Sequence, residues 1–144
     1  MPFTSSASEA ALGASDTSHR AARREPGATN PAPVVLTHDI DSPEGLRHLV
    51  DRFLPAEEAV GARSTSFIVP CAWELDEGLV RAIIDRGHDV GVHGYDHSNL
   101  TPFANDTDRR RRLDAARPFA TKHGACGYRA PSLLRTRALL RDLA

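Results

Sequence analysis

Residues 87–97, GHDVGVHGYDH, contain the pattern on which the fold depends. Apolar residues at helical spacing precede this segment: Leu79, Val80, Ile83 and Ile84. They predict a helix that Gly87 ends, because glycine is the preferred residue just past a helix C-terminus. Residues 89–92 then predict a short strand, which places His93 at its carboxyl end.

Two further strands and a helix are predicted before this segment. Residues 64–69, STSFIV, are rich in β-branched and aromatic residues and stop at Pro70, and residues 34–37, VVLT, predict a buried strand ending at His38 and Asp39. Between these strands, residues 42–44, SPE, are typical of a helix start. Four apolar residues continue that helix at helical spacing: Leu46, Leu49, Val50 and Phe53. Strands that alternate with helices predict an α/β fold with a parallel sheet, whose functional groups gather at the carboxyl ends of the strands.

The C-terminal part of the chain predicts two more helices. A loop to Asp106 is followed by a helix from Thr107 to about Lys122, and residues 127–131 predict a short strand and turn before a last helix over 133–143. Arginines occupy positions 109–112, but aspartates flank them, so a solvated helix face is favoured over phosphate binding. We therefore expect no nucleic-acid partner.

Composition limits the domain organisation and the location. The chain has 144 residues and a formal net charge of −1, enough for one domain and without a charge bias toward polyanions. Residues 1–32 are rich in Ser, Ala, Thr, Gly and Pro and predict a disordered tail, and residues 33–144 form the domain. No apolar run predicts a membrane span or a signal peptide, which favours a cytoplasmic protein without a membrane partner. Cys71 and Cys126 lack metal-binding or redox spacing and are interpreted as free thiols, although a disulfide is possible.

Two pairs of residues at strand ends are candidate metal ligands. Asp39 and Asp41 would repel each other when ionised, and a divalent cation between them removes that cost. An aspartate beside a helix start can equally be a cap. His93 and His97 can converge on one ion if the second histidine enters a helical turn, although such pairs also occur on surfaces. The two pairs together, at two strand ends of one sheet, predict an open site for zinc or a similar ion.

Arg129 is the third candidate. An arginine can hold a catalytic carboxylate through charge-assisted hydrogen bonds, which fix its orientation. Taken alone, Arg129 is also consistent with a surface residue near a turn.

Three segments resemble the first three motifs of the polysaccharide deacetylase family: residues 36–41 (LTHDID), 87–97 (GHDVGVHGYDH) and 128–131 (YRAP). The resemblance covers the chain from about Val34 to the C-terminus and implies the N-terminal part of a distorted (β/α) barrel with parallel strands. It also implies an enzyme that hydrolyses non-peptide carbon–nitrogen bonds, with a carbohydrate or small amide as substrate.

The resemblance assigns a role to each candidate residue. It implies that Asp39 is the general base, that Asp41, His93 and His97 bind a divalent metal, expected to be zinc, and that Arg129 orients the base. Deacetylation of N-acetylated sugars in a polysaccharide or peptidoglycan is the expected reaction.

Two departures from the family pattern give an alternative. Ile40 separates aspartates that are adjacent in many members, as in a subset acting on peptidoglycan or small amides. The later motifs, which supply a histidine as general acid, have no counterpart before Ala144, so we expect a truncated domain. The alternative is an inactive remnant that retains metal binding.

Overall fold

The computed structural model describes residues 33–144, and its centre is a parallel sheet of three strands in the order β1-β2-β3. The strands are β1 (Leu36–Ile40), β2 (Ser64–Ile68) and β3 (Asp89–Val92). In the register of the sheet, Asp39 pairs with Phe67, and Phe67 pairs with Gly91. The disordered tail predicted for residues 1–32 lies outside the described residues.

Helices connect the strands and continue after β3. The α-helices of the described part are α1 (Pro43–His48), α2 (Leu54–Ala59), α3 (Glu77–Asp85), α4 (Asp106–His123) and α5 (Arg137–Leu143). A π-helical turn (Leu49–Phe53) joins α1 to α2, and 3-10 turns lie at Thr101–Phe103 and Pro131–Leu133. Each pair of neighbouring strands is joined through helix, so the predicted α/β class with a parallel sheet is confirmed.

The strand order is that of a barrel segment. Parallel strands that are neighbours in sequence are also neighbours in the sheet, without the reversal of order that marks a doubly wound sheet. All three strands therefore turn their carboxyl ends to one edge, where Asp39 and His93 lie.

The first helix is longer than its apolar pattern predicts and changes its winding. Ser42 caps it by accepting a hydrogen bond from the Gly45 backbone N–H. The helical path continues through the π turn and past Pro55 to Ala59. Proline has no N–H and its ring crowds the carbonyl four residues earlier, so a wider turn just before Pro55 lets the helix continue.

The core lies between the sheet and helices on its face. Buried apolar residues of strands and helices form one cluster: Ile40, Leu46, Leu49, Leu54, Ile68, Val80, Ile83, Val90, Val92, Ala116 and Phe119. Members come from all three strands and from α1 to α4, so burial of apolar surface fixes these helices against the sheet.

Three local predictions differ from the structure. Val34 and Val35 are exposed rather than buried, because β1 begins its pairing with Ser64 only at Leu36. The short strand predicted over 127–131 is reduced to an isolated bridge from Tyr128 to β3. The last helix begins at Arg137 rather than at residue 133, since Thr136 caps it by accepting from the Leu139 backbone N–H.

The arginine run does not lie on a wholly solvated face. Arg109 is buried and binds Asp142 at 2.7 Å and the Ala104 carbonyl at 2.7 Å, whereas Arg110 and Arg111 are exposed. The reason is helical spacing. Arg109 shares the face of α4 that continues through Ala116 and Phe119 into the core.

Neither cysteine of the described part forms a disulfide, as the interpretation as free thiols predicts. Cys71 is partly buried and Cys126 is exposed. Within residues 33–144, the helices are too short or too polar to cross a membrane.

Candidate metal centre

Three of the predicted ligands meet at the carboxyl edge of the sheet. Asp41 follows β1, His93 follows β3, and His97 lies four residues further along the loop. One ligand atom from each of the three residues lies within 4.8 Å of the others. His97 Nε2 lies 3.3 Å and His93 Nε2 lies 3.5 Å from the same carboxylate oxygen, Oδ1 of Asp41. The structure thus brings these three residues together as the sequence predicts.

The donor set fits a divalent cation. One carboxylate and two imidazoles are a common set for zinc, and an open fourth position admits water or substrate. His93 is 2% exposed, while Asp41 and His97 are 45% and 46% exposed, so one side of the group faces solvent. The alternative role for Asp41, a helix cap, belongs to Ser42 instead, which leaves the Asp41 carboxylate facing the histidines.

The tautomer of His93 follows from its backbone contact. His93 Nδ1 lies 3.0 Å from the carbonyl oxygen of Arg129. A carbonyl oxygen only accepts hydrogen bonds, so Nδ1 carries the proton and donates it. With its proton on Nδ1, the neutral imidazole has the Nε2 lone pair on the side of Asp41, which is the tautomer that a metal ligand needs.

The loop between the histidines is held in an unusual conformation. Gly94 has φ 71°, and a Cβ atom there would lie 2.8 Å from Cδ of Pro131. His97 has φ 63°, in the left-handed region that residues other than glycine rarely enter. A backbone held in this way costs on the order of 1–3 kcal/mol, and the surrounding contacts must offset it.

Asp39 lies beside the three candidate ligands. Its Oδ1 accepts a hydrogen bond from Arg129 Nη1 at 2.7 Å, and its Oδ2 lies 3.8 Å from His93 Nε2. Arg129 Nη1 also lies 3.1 Å from Thr37 Oγ1, and the guanidinium stacks over the Phe67 ring at 4.0 Å. Arg129 is thus fixed between β1 and β2 and not a free surface residue, the alternative that the sequence left open.

Comparison with known families identifies the fold and the motifs. A sequence model described as polysaccharide deacetylase matches residues 27–142. The chain belongs to the polysaccharide deacetylase family. This bears out the resemblance of the three motifs.

Solved structures of carbohydrate esterases and deacetylases share the fold. The chain is similar to the chitin deacetylase from the fungal pathogen Colletotrichum lindemuthianum, with 25% identity, a TM-score of 0.62, and coverage of 80% of this chain and 52% of that one. A family 4 carbohydrate esterase from Streptomyces lividans matches with 24% identity, a TM-score of 0.59, and coverage of 76% and 56%. The peptidoglycan deacetylase PdaC from Bacillus subtilis matches with 16% identity, a TM-score of 0.58, and coverage of 76% and 54%.

These matches show how much of such a structure the chain covers. It spans about half the length of the three solved structures. The chain therefore has part of the (β/α) barrel of the family. A comparison with curated proteins found no match.

The loop that carries His93 and His97 has supporting residues that the sequence pattern did not predict. Asp96 accepts hydrogen bonds from Ser98 and from Arg112, for which the flanking aspartates predict a solvated face. Arg112 is only 13% exposed. Its position three residues after Arg109 and four before Ala116 is the signal that would have placed it on the inner face of α4.

Proposed function

We propose that this chain contributes the metal-binding half of a hydrolase that removes acetyl groups from N-acetylated sugars of a polysaccharide or peptidoglycan. The observation that carries the proposal is the convergence of Asp41, His93 and His97, with Asp39 and Arg129 beside them. Membership of the polysaccharide deacetylase family supports the same class of reaction, hydrolysis of a non-peptide carbon–nitrogen bond.

Asp41, His93 and His97 would hold the cation, and zinc is the ion that their donor set favours. A cation there supplies Lewis-acid chemistry: it lowers the pKa of water and polarises the carbonyl of the substrate. The backbone of Arg129 keeps the His93 tautomer in the form that binds a cation.

Asp39 is the proposed general base. Arg129 occupies its Oδ1, so Oδ2, on the side of His93, is the oxygen left to accept a proton from the attacking water. The guanidinium holds the carboxylate in this orientation because Phe67 and Thr37 fix the arginine in turn.

The leaving amine needs a proton from elsewhere. Of the four other histidines among residues 33–144, three are engaged away from the site: His38 with Glu57, His88 with Glu58 and Ser64, and His123 with Glu77. The fourth, His48, is exposed at the end of α1. This observation favours the second candidate, a remnant that binds metal but hydrolyses poorly. General acid catalysis typically contributes about a hundredfold or more to the rate.

The proposal is tested by metal binding and acetate release together. We expect the chain to bind Zn²⁺, Asp41→Ala to abolish binding, and Asp39→Asn to retain it. The zinc-loaded chain should release acetate from chitin oligomers or peptidoglycan, with Asp39→Asn slower by about a hundredfold. If Asp41→Ala leaves zinc affinity unchanged, the metal site is wrong. If zinc binds but no acetate is released, the remnant is the better description.

The cellular location and the substrate of the protein are predictions from its sequence. A carbohydrate or small amide remains the proposed substrate, and cytoplasmic remains the predicted location.

A further inference from the structure

The loop between the two histidines is tied to helix α4 through one guanidinium. Arg112 Nη1 lies 3.1 Å from Oδ1 and 3.1 Å from Oδ2 of Asp96, and 3.3 Å from Oγ of Ser98. The same guanidinium lies over the Tyr95 ring, 5.0 Å from its centroid. Arg112 thus contacts three of the residues that surround His97 in sequence.

Asp96 and Ser98 also form a turn with each other. Oδ1 of Asp96 accepts hydrogen bonds from the backbone N–H of Ser98 at 3.1 Å and from its hydroxyl at 2.6 Å. Burial raises the pKa of Asp96, but the hydrogen bonds from Ser98 and the charge of Arg112 outweigh it and leave the pKa below its ordinary value. His97 lies in the middle of this turn, with φ 63°.

His93 and His97 are held in different ways. His93 is buried, its backbone N–H donates to the Ile68 carbonyl at 2.8 Å, and its ring donates to the Arg129 carbonyl. The ring of His97 is 46% exposed; among residues 33–144 its only ion-pair partner is Asp41, and the exposed ring otherwise lies against the His93 ring, with the centroids 5.2 Å apart. The place of the His97 ring therefore depends on its backbone, and the backbone depends on the Asp96–Ser98 turn.

We propose that Arg112 is a positioning residue, which holds the turn formed by Asp96 and Ser98 and thereby keeps His97 aimed at Asp41. This inference rests on the proposed function, because it takes His97 as a metal ligand. Arg112 itself touches neither the cation nor the substrate. Its loss should act on the affinity for metal more than on the fold, since α4 also packs into the core through Ala116 and Phe119.

Neighbouring arginines on α4 provide a matched control. Arg111 is 61% exposed, and its ion-pair partner is Asp108, at 3.8 Å. Asp108 lies on α4 itself and not in the loop that carries the histidines. Arg112→Met and Arg111→Met remove the same charge from consecutive positions of one helix. Arg112→Lys tests rescue, because a single nitrogen, Nη1, makes all the contacts with Asp96 and Ser98, and an ammonium can replace it there and still lie over the Tyr95 ring.

The experiment measures the Zn²⁺ affinity of the full 144-residue chain by competition with a chromogenic chelator, at a temperature where circular dichroism shows each variant folded. We expect Arg112→Met to weaken zinc binding by about ten- to a hundredfold, the range typical of residues that support metal ligands. Arg111→Met should bind as the wild type does, and Arg112→Lys should recover most of the affinity.

The outcomes separate this inference from the proposed function. If the wild type binds no zinc, the proposed metal site fails and takes this inference with it. If the wild type binds zinc and Arg112→Met binds equally well, or if Arg111→Met weakens binding as much, the role of Arg112 is wrong and the proposed function stands. Should Arg112→Met fail to fold, Asp96→Asn tests the same contact from the loop, and unchanged affinity in that variant overturns the inference.

Discussion

Arg129 binds His93 through its backbone and Asp39 through its side chain. The Arg129 carbonyl oxygen lies 3.0 Å from His93 Nδ1, and the guanidinium lies 2.7 Å from Asp39 Oδ1. One residue thus sets the tautomer of a candidate ligand and the orientation of the candidate base. Because the two contacts use different atoms, a side-chain substitution can remove one and leave the other.

Arg129→Met should separate metal binding from hydrolysis. The carbonyl contact with His93 remains, so zinc affinity should stay near the wild-type value. Asp39 loses its positioning contact, and the rate of acetate release should fall by about a hundredfold, the scale typical of a misplaced catalytic group. Exposed Arg135→Met is the control and should change neither quantity. Loss of zinc affinity in Arg129→Met would contradict the idea that only the Arg129 backbone supports metal binding and only its side chain supports Asp39.

Gly94→Ala should destabilise the loop on steric grounds. The new Cβ would lie 2.8 Å from Cδ of Pro131, and φ 71° is unfavourable for alanine. We expect a loss of roughly 1–3 kcal/mol in the free energy of unfolding, together with weaker zinc binding. Gly124→Ala shares the left-handed φ but has no heavy atom within 4 Å of its Cβ. Denaturant unfolding should therefore show a smaller loss for Gly124→Ala, and equal losses would show that the Pro131 contact costs nothing.

The sequence predicts the strand ends better than the loop between the histidines. Apolar and β-branched runs locate β1 and β3, and parallel alternation alone places Asp39, Asp41 and His93 at one edge. The left-handed conformation of His97 has no signal in its residue type. The contacts beside it, between Asp96 and Ser98 and between Asp96 and Arg112, are made only in the folded chain.

Helix winding and burial were also hard to predict. Pro55 ordinarily stops a helix, yet the chain passes it because the preceding turn widens. On α4, the surrounding aspartates favoured solvation for every arginine, but the face shared with Ala116 and Phe119 buries Arg109. Spacing along the helix was the better guide than local charge.

The ion pair of Glu58 with Arg86 should make stability depend on pH. Arg86 donates to both carboxylate oxygens, at 2.8 and 2.9 Å, and these hydrogen bonds lower the pKa of Glu58 from 4.5 to about 2. The folded state therefore favours ionised Glu58. Its contribution is fully present above pH 4.5 and is lost as the pH falls toward 2.

Glu58→Gln should lower the thermal midpoint at about pH 7, and the difference from the wild type should shrink below the ordinary pKa of the carboxylate. Thermal unfolding followed by circular dichroism across this range measures the difference. Glu74 is exposed, so Glu74→Gln should change the thermal midpoint little at either neutral or acidic pH. A difference that stays constant down to acidic pH would mean that Glu58 does not contribute through its charge.

Arg109→Met should destabilise the contact between α4 and α5. Arg109 is 2% exposed, and its partner Asp142 has a side chain 5% exposed, so removing the arginine leaves Oδ2 of a poorly hydrated carboxylate without its partner, while Arg141 stays 3.1 Å from Oδ1. We expect a clear fall in the thermal midpoint, whereas Arg110→Met should have little effect, because Arg110 is 63% exposed and its nitrogen lies 3.9 Å from Asp142.

A second substitution distinguishes an unpaired charge from lost packing. In Arg109→Met with Asp142→Leu, the buried carboxylate is gone and an apolar pair takes the place of the ion pair, which in other proteins is often neutral or stabilising. The double variant should therefore regain part of the midpoint lost by Arg109→Met alone. If the two losses simply add, Asp142 was not left unpaired, and the effect of Arg109 comes from its other contacts, such as that with the Ala104 carbonyl.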